Sequence, residues 1–229
     1  MNRPSVVDPC PLPAGAAESR AATDILLGGL RSRGWGPASW ARFAGATSAR
    51  SARQARQHPR AVIEITILHG ALRALGGRGH SRWIASSWFM AVTHLGMLGP
   101  SPTIGAANTV SIVRANLPVV APATSWLGIL AMISDKADGA LARRAGPTQF
   151  GHYADALADA AFWAWFAYRH ETDRRLLAAA ALVWIVPVVA VTAISVSGGR
   201  MVEPPRSRWL RPAAAMQAVI AVRAIRRIV

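Results

Sequence analysis

The sequence predicts an all-α fold: a polytopic integral membrane bundle of about five to six transmembrane helices behind a basic N-terminal cytoplasmic extension. Three observations predict it. The 229 residues are 52% hydrophobic and only 16% charged, a low charge for a soluble chain of this size. The apolar residues concentrate after about position 84, in runs rich in Ala, Val, Ile, Leu and Trp. Nine Trp against two Tyr and five Phe suit a protein with membrane–water interfaces, where Trp anchors helices.

Residues 1–22 are rich in Pro, Ala and polar side chains and read as a flexible tail. The N-terminal stretch has no apolar core of signal-peptide length, so this region is expected to stay in the cytoplasm. Cys10 is the only cysteine, which excludes an intrachain disulfide. Residues 23–60 carry seven Arg and no acid after Asp24, with Trp35, Trp40 and Phe43 interleaved. They form either basic amphipathic helices on the cytoplasmic leaflet or a solvated basic tail. The expected division is a basic, Pro/Arg-rich extension over 1–60 and a membrane-embedded domain over 61–229.

Residues 61–75 are helix-like but short and charged for a span, and Gly76–Arg82 is a polar break. Candidate spans follow at about 83–99, 104–119, 122–143, 150–169, 174–197 and 209–225. Pro118 and Pro122 divide what would otherwise be one apolar run into two helices. Gly146-Pro147 marks a turn between two further helices, and Arg143 and Arg144 beside it favour the cytoplasmic side.

Net charge is +15, and Lys136 is the only Lys. No zinc-finger spacing, RNP aromatic motif or basic zipper accompanies the Arg residues, which argues for anionic lipid and against nucleic acid as the partner.

Between Ile65 and His170 there are only four carboxylates, in two pairs: Asp135 with Asp138, and Asp155 with Asp159. Acids in an apolar setting need compensation. Spacings of three and four place each pair on one helix face, so two facing helices present all four to one small volume. Hard oxygen ligands suit Mg²⁺, Mn²⁺ or Ca²⁺, and a pair of such ions suits phosphoryl chemistry. Gly139, Ala142 and Gly151 lie on the same faces and leave room for a ligand, while Arg143 offers a donor fork to phosphate. Together they describe a site for a metal-bound pyrophosphate.

The string Asp135-x2-Asp138-Gly139-x2-Ala142-Arg143, then Gly151-x3-Asp155-x3-Asp159, resembles the signature of the CDP-alcohol phosphotransferase family. Every signature residue type is present. The seven-residue spacer between Arg143 and Gly151 is one residue shorter than usual, and the difference falls in the loop. Asn108-x2-Ser111 looks like the Asn-x2-Thr/Ser element of the family's first core helix. The resemblance implies a six-helix membrane enzyme that moves a phospho-alcohol group, most commonly phosphatidyl from CDP-diacylglycerol, to an acceptor alcohol with release of CMP. It implies metal binding by Asp135, Asp138, Asp155 and Asp159, with Mg²⁺ or Mn²⁺ as two ions. It makes Asp159 the general base as well. It places Gly139, Ala142, Arg143, Thr148, Gly151, Asn108 and Ser111 at the CDP moiety. The expected setting is the plasma membrane, multi-pass, with the site facing the cytoplasm, and a homodimer is compatible with it.

Two other readings remain beside it: a UbiA-type prenyltransferase, whose paired Asp motifs stand much further apart, and a non-catalytic cation-binding membrane protein. His69 and His94 read as packing residues, and His152 as a loop or substrate-facing side chain. Arg200, Arg206, Arg208 and Arg211 read as an anion pocket or as positive-inside charges.

Overall fold

A computed structural model describes residues 16–76, 78–121, 124–146, 148–202 and 206–227; the side chains of 16–18, 78 and 206–211 are outside that description. The readings of Cys10, Pro122 and Pro147, and of the Arg206, Arg208 and Arg211 side chains, lie outside the described residues. Among the described residues there are ten α-helices and no strand. They are α1 (Ala16–Ser32), α2 (Pro37–Gln57), α3 (Pro59–Gly76), α4 (Ser81–Thr93), α5 (Gly105–Ala115), α6 (Leu117–Val120), α7 (Leu127–Ala145), α8 (Gln149–His170), α9 (Arg174–Gly198) and α10 (Arg206–Arg226).

Local chemistry sets the boundaries that matter for function. Helix α5 stops at Asn116 because Pro118 has no N–H with which to continue the ladder. Helix α7 ends at Gly146, whose φ of 90° suits glycine. Thr148 then caps α8: its Oγ1 accepts from Gly151 N at 3.0 Å. Asp173 caps α9 by accepting from Arg175 N. At the other end of α9, left-handed Gly199 turns the chain back, and Arg31 on α1 donates to Gly198 O at 2.8 Å.

Helix α8 is the spine of the bundle. On one side Phe162, Trp163 and Phe166 fill a core with Leu127 and Ala131 of α7, Trp184 of α9 and Ile220 of α10. Trp163 and Trp184 stack with centroids 6.0 Å apart. These rings are buried and each contributes about 1.5–3 kcal/mol or more by leaving water. On the other side Phe150 joins Ala61 and Ile65 of α3, Leu95, and Ile112 of α5 in a second core. Helix α5 packs chiefly against α8 and α7. Its start is held by Glu64 of α3, whose Oε2 accepts from Ile104 N at 2.9 Å. Buried His69 bridges Ile65 O to Ser87 Oγ, as a packing residue does, and half-buried His94 bonds Met90 O.

Among the described residues α9 is the one helix long and apolar enough to cross a membrane. The other candidate spans fall short for two physical reasons. Helices α4 and α5 have 13 and 11 residues. At 1.5 Å per residue that is roughly 16–20 Å, short of a hydrocarbon core of about 30 Å. Helices α7, α8 and α10 are longer but carry the acids or several Arg. The two basic N-terminal helices pack onto the bundle: α1 against α9, and α2 against α4, where Ser51 Oγ donates to Thr93 O at 3.0 Å.

Candidate active site

Three helices meet where α5, α7 and α8 pack together. Helix α5 presents Asn108, Ser111 and Arg114, three residues apart and so on one face. Helix α7 brings Asp135 and Asp138, and α8 brings Asp155 and Asp159. Arg114 is fully buried and sits among all four carboxylates. Its Nη1 lies 2.7 Å from Asp138 Oδ2 and 3.7 Å from Asp135 Oδ1. Its Nη2 donates to Asp155 Oδ1, and its Nε lies 2.8 Å from Asp159 Oδ1.

The four acids are not equivalent. Asp138 is buried and satisfied, since its Oδ2 also accepts from Ser111 Oγ at 2.9 Å. Asp135 and Asp155 have side chains nearly half exposed, 47% and 44%. Asp159 is the intermediate case: Gln217 of α10 donates to its Oδ2 at 3.2 Å, while Oδ1 is closed off from solvent and has no hydrogen bond. The Arg114 Nε contact with that oxygen is close, but its alignment makes no hydrogen bond.

These atoms have the donor chemistry of a group that could hold a cation. Asp135, Asp155 and Asp159 each offer a carboxylate oxygen, all within 4.8 Å of one another. At that spacing each like-charged pair repels by roughly 3–4 kcal/mol at an effective dielectric of 20. One guanidinium does not balance four carboxylates, and Asp159 Oδ1 is an orphaned buried acceptor. Both features fit a divalent cation held by hard oxygens.

The nucleotide-side residues expected from the sequence form a second group. Asn108 is buried and donates to Ile104 O at 2.7 Å and to Thr148 Oγ1 at 3.3 Å. A Cβ on Gly151 would lie 2.5 Å from Asn108 Oδ1, so only glycine admits this approach of α8 to α5. The structure thus joins Asn108, Thr148 and Gly151, and separately joins Ser111 to Asp138. Gly139 and Ala142 lie on α7, half-buried. Arg143 is exposed, and its Nη1 would stand 3.4 Å from a Cβ on Gly139, so the guanidinium folds back over the glycine. His152 is exposed and stacks edge-on with Tyr153.

A cavity of about 700 Å³ opens beside Asp155 and Asp159. Gln217 lines it, as do Phe43, Thr47 and Arg50 of α2 and the apolar face of α9 around Val188. The N-terminal helices therefore form part of its wall.

Sequence reasoning passed over two residues. Gln217 carries no local signal; only the return of α10 to the cluster reveals it. Arg114 does carry one, being the only Arg or Lys between Arg82 and Lys136 and on the same helix face as Asn108 and Ser111.

A helical bundle that gathers carboxylates from two helices beside a cavity has the form of a cation-assisted transferase site. The model of the CDP-alcohol phosphatidyltransferase family matches residues 103–225, more than half the chain, and the protein belongs to that family. It is accordingly a transferase of substituted phosphate groups, moving a phospho-alcohol from a CDP-alcohol, and its family is membrane-associated. The match begins just before α5 and includes α7 through most of α10, the helices that supply the acids, Arg114 and Gln217. Neither a curated protein nor a solved structure matches the chain.

Proposed function

We propose that the protein is a multi-pass membrane enzyme that transfers a phosphatidyl group from CDP-diacylglycerol to an acceptor alcohol, releasing CMP on the cytoplasmic side. The observation that carries this reading is the carboxylate cluster, with three of its oxygens within 4.8 Å, opening on a cavity walled by apolar α9. A polar reaction centre beside an apolar wall suits a donor with a charged head and acyl chains. Large apolar side chains exposed on α3, α7 and α9, among them Ile67, Leu130, Ile133 and Val189, favour embedding of several helices. Short α4 and α5 then enter the bilayer without crossing it, shielded by their neighbours.

Asp135, Asp155 and Asp159 would hold the divalent cations, Mg²⁺ or Mn²⁺, with Asp138 completing the set. When bound, such ions neutralise the pyrophosphate and stabilise the departing CMP. The chain's own groups do the rest. Asn108, Thr148 and Gly151 form a small, rigid polar floor for the nucleotide, and Arg143, at the exposed end of α7, swings to its phosphates. Gln217, which also lines the cavity, donates to Asp159 Oδ2 and so orients the carboxylate that acts as base. Asp159 takes the proton of the acceptor hydroxyl as that oxygen bonds to the β-phosphorus. The bond from the β-phosphorus to the bridging oxygen breaks, and its electron pair leaves with CMP.

The test is CMP release from labelled CDP-diacylglycerol by the protein in liposomes with Mn²⁺ and a panel of acceptors: glycerol phosphate, inositol phosphate, serine and a lipid alcohol. Release with one acceptor and none with the others fixes the reaction. Release from a small CDP-alcohol alone would sink the phosphatidyl assignment.

A further inference from the structure

The environment of Arg114 goes beyond what a metal site requires. A guanidinium with no solvent exposure occupies the centre of the acid cluster and contacts every one of its carboxylates. Three of those carboxylates are the same groups whose oxygens lie close enough to share a cation. The guanidinium and a divalent ion therefore address the same oxygens. Each is attracted to the acids by the same Coulomb interaction, and two cations drawn to the same oxygens repel one another.

We propose that Arg114 is a resident cation of this site: it holds the four carboxylates together when no divalent ion is bound, and it competes with incoming ions for them. This rests on the metal-binding part of the reading above, not on the identity of donor or acceptor. Arg114 is a positioning residue that need not touch substrate. Its three donor nitrogens reach α7 through Asp138 and α8 through Asp155 and Asp159, so it locks α5 to both acid-bearing helices. That arrangement prevents the acids from repelling one another apart before metal arrives, and it keeps the affinity for metal moderate.

The helix face explains why Arg and not Lys stands here. A planar fork can address acids from two helices at once, whereas an ammonium is a point charge. Ser111, one turn before Arg114, shares Asp138 Oδ2 with it, which fixes the rotamer of that acid. The buried orphan, Asp159 Oδ1, lies 2.8 Å from Arg114 Nε without a hydrogen bond.

The experiment follows melting of full-length wild type, R114M and R114K in detergent, with EDTA and with saturating Mn²⁺, in the absence of substrate. In EDTA both variants melt below wild type. Mn²⁺ is expected to raise the melting temperature of R114M about twice as far as it raises wild type, because a bound ion stabilises by linkage and here also replaces the missing charge. Direct Mn²⁺ titration by electron paramagnetic resonance should show tighter binding in R114M than in wild type. If R114M does not accumulate, R114K carries the test: it keeps the charge and loses the fork, so its deficit in EDTA should shrink on adding Mn²⁺. An equal Mn²⁺ response in wild type and variant, or weaker binding in the variant, overturns the proposal. Because no substrate is present, the result is independent of CMP release, and either reading can fail while the other stands.

Discussion

Two acid–arginine clusters among the described residues are built to opposite ratios. At the cluster of α5, α7 and α8, one buried Arg114 faces four carboxylates. At the α8–α9 turn, one buried Glu171 faces two arginines, Arg223 of α10 and Arg227 just after it. Glu171 is fully satisfied. It accepts from Arg223 Nε at 2.6 Å, from Arg227 Nη2 at 2.5 Å, and from the N–H groups of Thr172 and Asp173 at 2.8 Å. Its carboxylate has no orphaned oxygen. The Asp cluster, by contrast, leaves an excess of negative charge and a buried oxygen without a hydrogen bond. Both clusters tie helices together, but only the first has chemistry left over, and that surplus separates a site from a staple.

The largest effect that would break this contrast is at Asp159. D159N keeps the shape and the hydrogen-bond capacity toward Gln217 but removes the base. CMP release is expected to fall by at least about 10²–10⁴-fold, the usual worth of a general base. The protein should still insert into membranes and retain CDP-lipid binding. Wild-type-like turnover would refute the assignment of the base.

Next comes Glu171. E171Q leaves Arg223 and Arg227 without their anion and should lower the melting temperature by several degrees. The drop should be the same in EDTA and in Mn²⁺, because the staple has no cation to replace it. A metal-dependent deficit at Glu171 would erase the distinction between the two clusters.

Acid provides a gentler probe of the same residue. Hydrogen bonding from Arg223, before any other cause, pulls the Glu171 carboxyl from its ordinary 4.5 to about 2. A depressed carboxyl contributes stability that is fully present above the unfolded value and is lost as pH falls toward the folded one. Wild type should therefore lose this contribution between pH 4.5 and about 2, and E171Q should show a flatter decline over that window. Parallel melting curves in the two proteins would show that the Glu171 pairs add nothing.

How much of this was legible in the sequence follows from the range of each signal. The acid pairs and Gly151 belong to single helices, where spacings of three and four residues translate directly into a shared face. The turn at Gly146 and the break at Pro118 were legible for the same reason, as backbone chemistry within a few residues. The meeting of Arg114 with Asp155 was not, because it joins positions 41 apart and depends on how α5 crosses α8. The spans were read from composition, which measures apolar content but not where a helix ends. Helix α5 stops after 11 residues at a backbone break, and the apolar run beyond it belongs to other elements.

The smallest expected effect is also the one that most sharpens the comparison, since it falls on a residue that borders the site without belonging to its charge balance. Gln217 touches Asp159 through one hydrogen bond of 3.2 Å from a neighbouring helix. Q217A leaves every carboxylate and Arg114 in place, so neither the EDTA melt nor the gain with Mn²⁺ should move appreciably. What it removes is the group that holds Oδ2 and thereby orients the Asp159 carboxylate. A neutral hydrogen bond of this kind is worth about 0.5–1.5 kcal/mol, so CMP release should fall by only about three- to tenfold. The loss should fall on kcat with KM for the CDP-alcohol unchanged, because Gln217 lies on the base side and not among Asn108, Thr148 and Gly151. A loss in KM alone would place Gln217 in donor binding, and the orientation of Asp159 would then have to come from Arg114.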